Sequence, residues 1–144
     1  MYPGAHAATR PEHPAVIMAG SGEVVTYRQL DERSNQLARL WRERGLVTGD
    51  HVAIFSENQP RFFEVMWAAL RSGLYVTTIN SYLSAEEVGY ILHDSGARSL
   101  VTTSEKAKIA SAAMQHATGC VVPLLIGDAD PRFEPYADAI GSMS

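Results

Sequence analysis

Cysteine is nearly missing from this chain: Cys120 is the only one in 144 residues, so no internal disulfide can staple the fold. Stability must come from packing, and an apolar share of 46% is enough for one compact domain of this length. A lone thiol suits a reducing compartment, and the expected location is cytoplasmic. Long apolar runs are missing too. Nothing approaches the ~20 consecutive apolar residues of a membrane span. The opening Met1-Tyr2-Pro3-Gly4-Ala5-His6 lacks the basic-then-apolar order of a secretory signal. Positive charge is scarce: 12 Lys and Arg against 16 Asp and Glu leave a net charge of −4. Those cations are scattered, so there is no basic stripe of the kind nucleic acid needs.

Sequence signatures of catalysis are also absent. Gly20-Ser21-Gly22 precedes a strand-like segment and has no third glycine, which excludes a dinucleotide fingerprint. No glycine-rich stretch ends in Gly-Lys-Ser/Thr, as a P-loop would. Its nearest imitation is Thr102-Thr103-Ser104-Glu105-Lys106, at a helix start. There Glu105 would repel a phosphate, no glycine lets one approach, and Ser104 reads as an N-cap. Asp128 and Asp130 have no histidine or further carboxylate nearby, so they read as a solvated turn rather than a metal site. His51 begins a strand and His93 lies on the outer face of a helix, neither beside a nucleophile. Cys120 follows Gly119 in an apolar context and reads as a small buried side chain. The paired acids, phosphorylatable Asp and Lys of a two-component receiver are missing. Site chemistry alone assigns no catalytic, cofactor-binding or metal-ligating residue.

What is present is a regular alternation. After a tail to residue 13, Ala15–Met18 and Glu23–Val25 form a small hairpin around Gly20-Ser21-Gly22. A helix runs from Thr26 to about Arg44, opened by the capping box Thr26/Gln29 and closed at Gly45. Strand His51–Phe55 follows, then a helix opened by Pro60 and ending before Gly73, then strand Leu74–Ile79. Ser84 and Glu87 cap a helix with Val88, Ile91 and Leu92 inward, ending near Gly96. Strand Ser99–Thr102, a helix from Ser104 to Gly119 and strand Val121–Ile126 complete the series. Pro123 cannot donate to a ladder, which places that strand at an edge or makes it irregular. Residues 127–144 read as loop, with at most one helical turn. Strands and helices alternating over short connections imply an α/β fold, a mostly parallel sheet with helices packed on it.

In that fold, ligands gather beyond the carboxyl ends of the strands, where Asn80 and Tyr82 are the candidate pocket-adjacent residues. The helix after Pro60 is apolar nearly all round, leaving Arg61, Glu64 and Arg71 as a narrow polar stripe. Burying one side of it would leave Phe63 or Trp67 in water, forgoing roughly 1.5–3 kcal/mol each.

The order of segments resembles the opening of adenylate-forming enzymes, specifically AMP-forming acyl-CoA synthetases. Thr26-Tyr27-Arg28-Gln29-Leu30 through Asn35-Gln36-Leu37-Ala38 is similar to that family's first helix. Gly45-Leu46-Val47-Thr48-Gly49-Asp50-His51-Val52-Ala53 resembles its Gly-Val-x-x-Gly-Asp-x-Val-Ala link into a strand. Phe62 through Gly73 resembles the helix leading into an Ala-Gly-x-x-Tyr-x-Pro-x-Asn segment, here Leu74-Tyr75-Val76-Thr77-Thr78-Ile79-Asn80 with Thr78 in place of the usual proline. Ser84 through Arg98 resembles the following capped helix with its Ile-Leu-x-Asp-Ser-x-Ala ending. The likeness spans about Pro14 to Ile126. It implies an N-terminal subdomain over residues 14–126 of an enzyme that activates a fatty acid with ATP and Mg and passes the acyl group to CoA. The family's phosphate loop ending in Pro-Lys, its aromatic–Gly–Thr–Glu segment, its ribose-binding Asp, its hinge and its catalytic Lys do not occur here. The expectation is a non-catalytic N-terminal fragment whose partners are the remainder of the parent enzyme and a second copy of itself. Alternatives are a stand-alone interaction module on the same scaffold and an unrelated flavodoxin-like enzyme.

Overall fold

The computed structural model describes residues 3–18 and 22–143. A short helix α1 (Pro3–Thr9) leads into a hairpin of β1 (Pro14–Ile17) and β2 (Val24–Thr26). There follow α2 (Tyr27–Glu43), β3 (His51–Phe55), α3 (Arg61–Arg71), β4 (Tyr75–Ile79), α4 (Ala85–Ser95) and β5 (Ala97–Thr103). A 3-10 turn (Ser104–Lys106) then leads to α5 (Ala107–Met114), β6 (Val122–Ile126), β7 (Glu134–Pro135) and α6 (Tyr136–Gly141). The antiparallel hairpin is as expected, although Gly20 and Ser21 of its turn lie outside the described residues.

β3 to β7 form one parallel sheet in the order β4-β3-β5-β6-β7. Alternation along each strand sends its side chains to two cores. Val52, Ile54, Val101 and Leu124 pack with α2, α3 and α6 on one face, while Ala53, Phe55, Leu100 and Leu125 pack with α4 and α5 on the other. The chain leaves β3 for β4 on one side, then crosses back to β5 on the other. The reversal of strand order therefore falls between β3 and β5.

Local chemistry fixes the helices. Both capping boxes form: Gln29 N–H donates to Thr26 Oγ1 at 3.2 Å, and Glu87 N–H to Ser84 Oγ at 3.2 Å. Gly45 and Gly96 take the left-handed backbone that ends α2 and α4, with φ of 91° and 66°. Trp41 of α2 is fully buried and its indole N–H donates to Ser99 Oγ at 3.0 Å. Ser99 in turn donates to the Val122 carbonyl at 2.8 Å, so one hydroxyl ties α2, β5 and β6 together.

Four expectations are corrected. The segment to residue 13 is not a bare tail: α1 packs on α2, with His6 stacked on Tyr27 at 4.7 Å. Its alanines and a proline at the first turn favour a helix too short to show a period. Residues 127–133 are turns and bends as expected, but residues 134–141 hold more than one helical turn: β7 extends the sheet and α6 buries Tyr136, Ala139 and Ile140. Those three follow a helical i, i+3, i+4 spacing that the nearby prolines obscure. Ser104 does not cap α5; it lies in the 3-10 turn and α5 starts with no side-chain cap. Finally, Pro123 does not mark an edge strand, since the two residues of β7 pair with Leu124 and Leu125 beyond it.

Candidate functional site

In a parallel α/β sheet the favoured ligand position is the crevice at the carboxyl ends of the two strands where the order reverses. Here these are β3, ending at Phe55-Ser56-Glu57, and β5, ending at Thr102-Thr103-Ser104. The crevice is closed by internal hydrogen bonds. Thr102 Oγ1 donates to the Phe55 carbonyl at 2.7 Å, and Thr103 Oγ1 donates to the Glu57 carboxylate, 3.1 Å from Oε2. Partial burial works to raise the Glu57 pKa. Hydrogen bonds from Thr103 and Glu105 and the nearby Lys106 charge outweigh it and hold the carboxyl below its ordinary value. Its neighbour Glu105 is shifted upward by sharing a hydrogen bond, and by charge repulsion, with Glu57. One carboxylate therefore stays ionised here while the other takes up a proton more readily.

Asn80 and Tyr82 stand beyond β4 on the same end of the sheet. Asn80 Oδ1 accepts the Tyr82 backbone N–H at 2.9 Å, an Asx turn that starts the loop to α4. Tyr82 is 91% exposed, and Lys106 Nζ lies 5.8 Å from its ring centroid, within cation–π range. The structure thus brings Tyr82 to Lys106 and, through Lys106, to Glu57 and Glu105.

Past β6 a cleft of about 380 Å³ opens, lined in part by Arg61, Leu125, Gly127, Phe133 and Tyr136. Asn80 and Tyr82 are not among its lining residues. Gly127 belongs there because its backbone has φ of 109° and any Cβ would sit 2.5 Å from Ser104 Oγ. Arg61 and Tyr136 of this cleft lead to a group whose burial the sequence did not show. Glu64, read as part of a narrow polar stripe, is fully buried, while Phe63 is exposed, one of the two outcomes expected for this helix, and so is Leu70. Its carboxylate accepts from Tyr136 Oη at 3.0 Å, Arg61 at 3.3 Å and Arg33 at 3.4 Å, and Arg61 also reaches Glu23 at 3.1 Å. Burial raises the Glu64 pKa, and the two arginines and the tyrosine only partly offset it. Burial and the adjacent carboxylate push the Tyr136 hydroxyl well above its usual value. A signal was available: an acid inside an apolar run, three residues after an arginine, can be the inward end of an ion pair.

The other sequence candidates are settled by their surroundings. Asp130 is bound by Arg132 at 2.6 Å and lowered to about 2, as a turn residue rather than a metal ligand. Among the described residues no three His, Cys, Asp or Glu side chains cluster to hold a metal. His51 stacks on Tyr75 at 5.0 Å at the amino end of β3, and His93 is exposed on α4. Cys120 is buried, which pushes its thiol up to about 11.

Comparison with known proteins gives one answer. A family model described as AMP-binding enzyme matches residues 4–142. Long-chain fatty acid transport protein 1 of Homo sapiens is 33% identical over 85% of this chain and 19% of its own length. The fatty acid–[acyl-carrier-protein] ligase ScoC of Streptomyces coeruleorubidus is 36% identical over 69% of this chain and 19% of its own. The long-chain-fatty-acid–CoA ligase of Salmonella typhimurium is 37% identical over 69% of this chain and 18% of its own. Among solved structures, the inhibitor-bound N-terminal domain of FACL13 from Mycobacterium tuberculosis superposes with a TM-score of 0.80 at 27% identity, covering 99% of this chain and 35% of that one. The anthranilate CoA ligase AuaEII shares the fold, with a TM-score of 0.90 at 19% identity over 98% of this chain and 27% of that one. The chain spans about a fifth of the length of each of these three curated relatives.

Proposed function

The chain belongs to the AMP-binding enzyme family, and we propose that it is the N-terminal α/β subdomain of an ATP-dependent fatty-acyl-CoA synthetase. In the complete enzyme the fatty acid carboxylate attacks the α-phosphorus of ATP, giving acyl-adenylate and pyrophosphate. The CoA thiol then displaces AMP from the acyl carbon. What carries the reading is a family match across residues 4–142 in a sequence that holds no phosphate loop, ribose-binding Asp or catalytic Lys. The fatty-acid preference is supported by relatives whose names specify long-chain fatty acids.

The described residues do not fit a triphosphate or its Mg. Lys106 is accompanied by Glu105 and Glu57, Asp130 is tied to Arg132, and no glycine-rich cradle is present. ATP, Mg and CoA are thus ligands of the whole protein, and this part supplies scaffold. It presents a strand-end surface, with Asn80 and Tyr82 exposed on it, to the remainder of the enzyme. Among the described residues no helix is long and apolar enough to cross a membrane. A cytoplasmic setting and association of the chain with itself complete the proposal. The test is ATP–pyrophosphate exchange with fatty acids on the 144-residue chain. Background exchange is expected, and clear turnover would overturn the scaffold role. Coding sequence beyond Ser144 is expected to contain a Ser/Thr/Gly-rich loop ending in Pro-Lys; a stop codon there would favour a stand-alone interaction module.

A further inference from the structure

β7 and α6 form a small unit at the end of the fold. β7 adds only Glu134 and Pro135 to the sheet, and α6 is six residues long. On the surface, Arg44 donates to the Glu134 carboxylate at 2.7 Å, and Gln36 Nε2 donates to the Met143 carbonyl at 3.3 Å. Inside, Tyr136 Oη donates to Glu64 at 3.0 Å, while Ala139 and Ile140 pack with α2 and β6. The chain reaches this unit through turns and bends that start at Gly127, whose φ of 109° is open to glycine and to few other residues. Phe133, Tyr136 and Asp138 contribute one side of the cleft past β6, and Leu125 and Arg61 belong to the body of the domain. Swinging the unit about Gly127 would open that cleft.

We infer that β7 and α6 are a proton-controlled flap, docked most tightly while Glu64 carries a proton and opening about Gly127 more often once Glu64 is ionised. The groups that face Glu64 come from three elements: Arg33 of α2, Arg61 of α3 and Tyr136 of α6. Each arginine makes one long contact and is partly exposed, and Arg61 is shared with Glu23, which precedes β2. The carboxylate itself is fully buried. Its compensation is therefore thin, and the hydroxyl from the flap is the shortest of the three contacts. Lifting α6 takes Tyr136 away and admits water to the carboxylate. These contacts lie within the chain, so the flap goes beyond the ligase reading and stands or falls without it.

The direction follows from linkage. In the docked state burial outweighs the arginines and the tyrosine, and the Glu64 carboxyl is held above its ordinary value. In the open state water returns it toward that value. Below the ordinary range Glu64 is protonated in both states, and docking is unaffected. As pH rises through the raised value, the docked state must hold a buried charge that the open state holds in water. Docking weakens accordingly, by up to about tenfold per pH unit, the limit for release of one proton. A two-residue strand and a six-residue helix belong to the part of a fold that opens locally before the whole domain unfolds.

Amide hydrogen exchange of the intact chain, read by mass spectrometry at a series of pH values and corrected for the intrinsic rise of exchange with pH, tests the flap. Peptides covering residues 134–141 are expected to be at least about tenfold less protected than those of β5, and to lose further protection as pH rises above the ordinary carboxylate range. Glu64→Gln should abolish that loss. Glu134→Gln weakens the surface tie to Arg44, so it should lower protection of the flap by a similar factor at every pH and leave the pH dependence in place. Protection of residues 134–141 equal to that of β5 overturns the inference, as does protection that does not change with pH, or a pH dependence that survives in Glu64→Gln. Should Glu64→Gln fail to fold, Tyr136→Phe decides. It removes a donor that favours the charged carboxylate, so the total loss of protection should grow, and an unchanged loss refutes the flap.

Discussion

Replacing Glu64 by Gln should leave the protein about as stable at pH 7 as it is now, although the residue sits inside an ion-pair cluster. Its side chain is 0% exposed, with single contacts of 3.3 and 3.4 Å to Arg61 and Arg33. Breaking a buried pair usually costs about 3–5 kcal/mol because a charge is left buried and unpaired. Here the charges left behind are not buried: Arg33 and Arg61 are 32% and 26% exposed and can turn into water. Gln keeps the volume and an oxygen that still accepts from Tyr136. Burial of the carboxylate outweighs its partners, since the pKa is raised rather than lowered. The expected change on removing the charge is therefore within about 1 kcal/mol, whereas Glu64→Ala, which empties the site and orphans the buried Tyr136 hydroxyl, should cost roughly 2–4 kcal/mol.

The pH dependence carries the sharper test. A carboxyl whose folded pKa lies above its unfolded value is bound to its proton more tightly in the folded state. Below the unfolded pKa it costs nothing. As pH rises through the raised folded pKa, the cost of holding a buried charge appears and stability falls. Glu64→Gln lacks that loss, so the difference between the two proteins should move in favour of the variant as pH rises above the ordinary carboxylate range. Urea unfolding at a series of pH values, followed by the fluorescence of Trp41 and Trp67, measures it with the m value as a control. If the variant is less stable by 3 kcal/mol or more at pH 7, and less so at acid pH, the ionised carboxylate is a net stabiliser and the reasoning fails.

Two further outcomes are expected. Ser99→Ala should lower stability by about 1–3 kcal/mol in the same urea assay, because it leaves the buried Trp41 N–H without an acceptor; an unchanged midpoint would refute the link between α2, β5 and β6. Cys120, with its thiol pushed up to about 11, should react with a disulfide reagent at pH 8 slowly when folded and quickly in denaturant, and rapid labelling of the folded chain would show the site to be open.

The sheet was legible because its strands are short, apolar and separated by strong punctuation. Thr26 and Ser84 begin helices and Gly45 and Gly96 end them through backbone chemistry that needs no tertiary partner. What was not legible depends on partners far away in sequence. Glu64 meets Tyr136, 72 residues on, and the local pattern of an acid three residues after an arginine does not name that partner. The C-terminus has the same long reach, because Tyr136, Ala139 and Ile140 of α6 pack in one core with residues of α2, α3 and β6. Ser104 failed as a cap for a related reason: it faces Gly127, whose missing side chain makes the room.

At the strand ends, local and distant effects join. Thr78, which stands where the resembled segment usually has a proline, is a full member of β4, opposite Ile54 of β3. Asn80, two residues further, spends its carbonyl on the turn that carries Tyr82 into the open. Between β3 and β5 the crevice that such folds offer to ligands is occupied by the Glu57–Thr103 hydrogen bond. Burial works to raise the Glu57 pKa, but that bond, with others and the nearby Lys106 charge, holds the carboxyl below its ordinary value, while Glu105 beside it is shifted upward.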